Sequence, residues 1–91
     1  MVMNLRELYE IQSNIESGHG RSDIIMTSRD TSRAHIVIEF KQGADVEKLR
    51  HEALKQIHDT QYYAGLEGEV LCVGIAHDKK VCQLVTETIQ C

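Results

Sequence analysis

At 91 residues the chain has room for one small domain, near the size at which a single hydrophobic core is only just sufficient. Its 42% hydrophobic and 26% charged content is ordinary for a globular protein, and no apolar run approaches the roughly 18 residues that a membrane span requires. A net charge of −4 argues against the common sequence-independent DNA binder, which draws its affinity from surplus Lys and Arg.

With no Trp, no Pro and one Phe, the core must rest on Ile, Val, Leu and Ala. Met1–Leu8 lacks the charged-then-apolar layout of a signal peptide, so a cytoplasmic protein is expected. Cys72, Cys82 and Cys91 form no C-x-x-C pair, which suits thiols in a reducing compartment rather than a disulfide framework.

In chain order, Leu5 and Leu8 suit the end of a helix, and Tyr9–Ser13 alternates weakly as a first strand. Asn14–Gly20, with two glycines around His19, reads as a turn, and His19 as a surface loop residue. Two β-rich runs follow, Asp23–Thr27 and Ala34–Phe40, separated by the polar segment Ser28–Arg33: a hairpin. Asp45 is a fitting N-cap for a helix from Val46 to about Thr60, whose apolar stripe runs through Val46, Leu49, Ala53, Leu54 and Ile57. Gln56 lies on the border of that stripe, and Tyr62 and Tyr63 close the helix onto the sheet. Glu69–Ala76 is a nearly unbroken apolar run, expected to be a strand buried on both faces, with Gly74 marking a close backbone approach. His77–Lys80 is a tight turn and Val81–Glu87 a last strand at an edge. This order gives an α/β domain with a mixed sheet of about five strands and one principal helix, in a single domain over residues 1–91.

The hairpin register can be read from its side chains. If the hairpin is symmetric about Thr31, Ile24 faces Ile38, Ile25 faces Val37 and Met26 faces Ile36, apolar against apolar on both faces. Asp23 then lies across from Glu39, with Cβ atoms roughly 4.5–5.5 Å apart. Lys41 shares their face, because strand side chains alternate. Two carboxylates that close repel unless a cation separates them, and a hard ion such as Mg²⁺ binds through one or two carboxylates while keeping several waters. Taken alone, the same three residues read more readily as a Lys neutralising two surface carboxylates. His35, four residues from Glu39 and roughly 13 Å along the strand, is too far away to share such an ion.

Asp23, Glu39-Phe40-Lys41 and Gln56, in that order, resemble the PD-(D/E)XK nuclease superfamily. More narrowly, ESGHGRSDIIM, AHIVIEFK, EALKQIHDTQYY and VGIAHDKKV are similar to the nuclease-like domain at the C-terminus of bacterial AAA-ATPase-like proteins, across about Tyr9 to Val85. Ser22 stands where the superfamily usually has Pro, and the HDKK turn lacks the usual Gly. The resemblance implies a restriction-endonuclease-like fold and a nuclease acting on DNA. Asp23, Glu39 and the Phe40 carbonyl would hold Mg²⁺, with Mn²⁺ as a substitute; Lys41 would position the attacking water and Gln56 would support the site. It also makes Glu16 a candidate extra acidic residue, though a solvated loop carboxylate fits as well. Arg21 is either a phosphate contact or a solvated neighbour of the hairpin.

In the proteins that the chain resembles, a longer helix precedes the first strand. The chain is therefore either a fragment or has a sheet face covered by something else, and a bare face favours a homo-oligomer. The acidic balance favours a rival reading, in which the nuclease-like fold is retained as a binding or regulatory module beside an ATPase.

Overall fold

The computed structural model describes residues 5–16, 21–30, 32–61 and 63–91, with side chains from 7–14, 23–30, 32–61 and 63–91. The elements run α1 (Leu5–Leu8), β1 (Tyr9–Glu16), β2 (Arg21–Ser28), β3 (His35–Gln42), α2 (Val46–Thr60), β4 (Glu69–His77) and β5 (Cys82–Gln90). The strands form one mixed sheet in sequence order, antiparallel except for the parallel pair β3–β4, which α2 connects as a crossover. This is a restriction-endonuclease-like α/β fold.

The hairpin register is the one its side chains demand: Ile24 pairs with Ile38, Ile25 with Val37, Met26 with Ile36, and Asp23 with Glu39. A one-residue slip would exchange the two faces, moving Val37 out of the core. At the hairpin end the Ser32 N–H donates to Asp30 Oδ1 at 2.9 Å, and this bond holds the Asp30 carboxyl below its ordinary range.

Beneath the loop, His35 is a structural pin. Its Nδ1 accepts from the Ser28 N–H at 2.9 Å, which puts the ring proton on Nε2, facing the Glu67 carbonyl at 2.8 Å. The imidazole ties the hairpin to the segment before β4 and takes no part in the site.

One sheet face carries α2. Ala53 and Ile57 on the helix are fully buried, as are Val37, Val70 and Cys72 on the strands. Tyr63, Leu54 and Leu66 pack around this cluster. Gly74 sets how close the helix comes: a Cβ there would lie 2.5 Å from the Arg50 carbonyl oxygen and 2.8 Å from the Leu54 nitrogen. The helix begins where Asp45 Oδ1 accepts from the Lys48 N–H at 3.1 Å and ends at Gln61, a left-handed residue with φ 52°.

Three expectations need correction. The first strand runs to Glu16, so Asn14 and Glu16 belong to β1 and not to a turn; polar residues on an edge strand carry little β signal. The last strand spans Cys82–Gln90, three residues further than its composition suggests. Strand β4 is buried on the α2 face alone: Val70, Cys72 and Ala76 are covered, while Leu71, Val73 and Ile75 on the reverse face are only half-buried. An apolar run records burial propensity on both sides, but only the packed molecule shows which side has a partner.

Candidate active site

The site rests on one rung of the sheet. Across the strands the residues in register are Asn14, Asp23, Glu39 and Gly74, so two carboxylates meet on neighbouring strands beside the point where α2 comes nearest. Strand pairing and not loop geometry holds them, so their relative position is as rigid as the sheet. Glu39 is fully buried and Asp23 is 7% exposed. Two acidic groups so placed share a region from which water is largely excluded.

Lys41 lies two residues beyond Glu39 along β3. Together with Gln56, Glu52, Lys55, Asp59 and Thr60 of α2, it lines a cleft of about 450 Å³. The helical residues recur at three- and four-residue steps, so they form one stripe along α2 facing the end of β3. Lys41 and Gln56, fifteen residues apart in the chain, thus border the same space, and both are half-buried. The Phe40 carbonyl belongs to the strand between Glu39 and Lys41, while the Phe40 side chain is half-buried.

One neighbour of the candidate site escaped the sequence reading. The Asn14 side-chain amide donates to Asp23 Oδ2 at 3.1 Å and orients that carboxylate from the adjacent strand. The signal was present as the alternation Gln12, Asn14, Glu16, but edge-strand polarity hid it among turn-forming residues. The backbone pairs Glu16 with Arg21, two residues beyond the Asn14–Asp23 pair. The side chains of Glu16 and Arg21, and the whole of His19, lie outside the described residues.

The donor set suits a small hard cation. Asp23 and Glu39 supply two carboxylates and the β3 backbone a nearby carbonyl, and among the described residues no cluster of three or more His, Cys, Asp or Glu side chains forms a closed cage. Mg²⁺ fits such a set because it keeps several waters and needs only one or two carboxylates; Zn²⁺ would ask for His or Cys ligands.

A family model described as the PD-(D/E)XK nuclease superfamily matches residues 1–87. No curated protein and no solved structure matches the chain.

Proposed function

Because the chain belongs to the PD-(D/E)XK nuclease superfamily, we propose that it hydrolyses phosphodiester bonds in DNA with Mg²⁺, or Mn²⁺ in its place, held by Asp23, Glu39 and the Phe40 carbonyl. The observation that carries this reading is the rung on which Asp23 and Glu39 pair, two residues along β3 from Lys41, which with Gln56 lines a cleft that neither carboxylate lines. A bound divalent cation supplies charge neutralisation at the scissile phosphate and polarises water.

The remaining work falls to the side chains. Asn14 fixes the rotamer of Asp23. Lys41, at the cleft, donates hydrogen bonds that orient the attacking water and offset the negative charge gathering on the phosphate oxygens. Gln56 has a carboxamide that can donate to a phosphate oxygen and accept from water at the same time.

Calorimetry with Mg²⁺ and Mn²⁺ tests the site. Wild type is expected to bind either ion, and Asp23→Ala and Glu39→Ala to lose the binding heat. Lys41→Met is expected to keep the heat while DNA cleavage drops about 100-fold or more. The absence of heat at millimolar metal in the wild type would remove this reading.

A second reading, a nuclease-like binding or regulatory module working beside an ATPase, is favoured by one observation. Glu52 and Asp59 face the cleft as Lys41 and Lys55 do, so its cations are matched by carboxylates. Either way, affinity for nucleic acid must come largely from a partner or from the bound ion.

A further inference from the structure

The sheet face opposite α2 bears no covering element among the described residues. Helix α2 packs over β4, β3 and β5 on the other side, and α1 touches β1. Ile36, Ile38, Phe40, Leu71, Val73 and Ile75 form a block on the parallel pair β3–β4, all half-buried. Towards β1 the block meets Met26, which is already covered at 8% exposed, and Ile11, 40% exposed; Leu84, 53% exposed, extends it onto β5. Monomers rarely leave a contiguous apolar patch larger than a few hundred Å² in water.

We propose that this face is the interface with a second copy of the chain, two sheets packing face to face as a sandwich with α2 on each outer side. Charge argues for a copy of the same chain. Of the thirteen described positions on the three central rungs of this face, none is ionisable; at the chain's 26% charge content about three would be. A two-fold interface sets a surface against itself, so a charge near the axis would meet its own like; a charge-free face satisfies that condition. Size agrees as well. Five strands about 4.8 Å apart, five residues deep at about 3.3 Å each, outline roughly 400 Å² per copy before side-chain relief is counted. The two copies together then outline about 800 Å², which side-chain relief raises towards the roughly 1,000 Å² of specific interfaces. In this dimer the two Asp23–Glu39 rungs open outward on opposite sides, so each copy keeps its own site and the cleft is not shared.

Sedimentation of the whole chain between 1 and 100 µM tests this, read beside two variants. Wild type is expected to sediment at twice its 10.3 kDa chain mass. Ile38→Lys, at the centre of the face, is expected to be monomeric with an unchanged circular dichroism spectrum. If Ile38→Lys does not fold, Leu84→Lys decides, since its side chain already projects into solvent; it is expected to weaken dimerisation at least 10-fold. A monomeric wild type at 100 µM, or a Leu84→Lys dimer as tight as wild type, overturns the proposal.

Discussion

Glu39 and Cys72 are both fully buried on the α2 face of the sheet, yet they serve opposite ends. The carboxylate is buried across the hairpin from Asp23, where the proposed cation would be held. The thiol lies among Val37, Ile57 and Val70, and burial pushes it up from 9.0 to about 11, with Glu87 and then Cys91 adding to the rise. A proton-binding group whose value is raised on folding stabilises the fold fully below its unfolded value and ceases to do so as pH climbs through its folded one. Stability is therefore expected to fall between about pH 9 and pH 11. Cys72→Val should remove that part of the decline when the two proteins are unfolded in urea across the range. In the same native protein a thiol reagent should label Cys82 and Cys91, which are exposed, and spare Cys72.

At the level of elements, the contact between α2 and Gly74 decides the geometry of the cleft. The helix backbone comes so near that a methyl group at position 74 would overlap the Arg50 carbonyl, which no side-chain rotation can relieve. Gly74→Ala is expected to lower stability by about 1–3 kcal/mol in urea denaturation. It should also reduce cleavage more than metal binding, because it lifts Gln56 away from Lys41 while leaving the Asp23–Glu39 rung intact. An unchanged urea midpoint would contradict the close approach. Gly43 offers a contrast: a Cβ there meets only the tip of the flexible Leu49 side chain. The bounds of α2 were legible in the sequence because its signals are local, Asp45 as the cap and an apolar stripe ending at Ile57. The bounds of β1 and β5 were not, since an edge strand exposes polar residues that look the same in a turn.

For the molecule as a whole, charge sets the terms of DNA binding. With a net charge of −4 and a cleft where two lysines are matched by Glu52 and Asp59, few phosphates can be neutralised by the protein itself. Each neutralised phosphate contributes about 0.9 to the slope of log affinity against log salt on duplex DNA. The expected slope for the isolated chain is therefore no steeper than about −2, measured by fluorescence anisotropy between 50 and 200 mM salt. A slope near −6 would mean a basic surface that the described residues do not supply.

The sequence by itself determined the hairpin register and, with it, the pairing of Asp23 with Glu39. The alignment about Thr31 gives three successive apolar pairs across both faces, and the strands adopt it. It determined α2 for the same reason, through periodicity and a cap within a few residues of each other. Three features were decided only in the folded molecule: the meeting of Lys41 with Gln56, the hold of Asn14 on Asp23, and the one-sided cover of β4. Each depends on which distant element lies across from a residue, and a pattern of near neighbours along the chain carries no record of that distance.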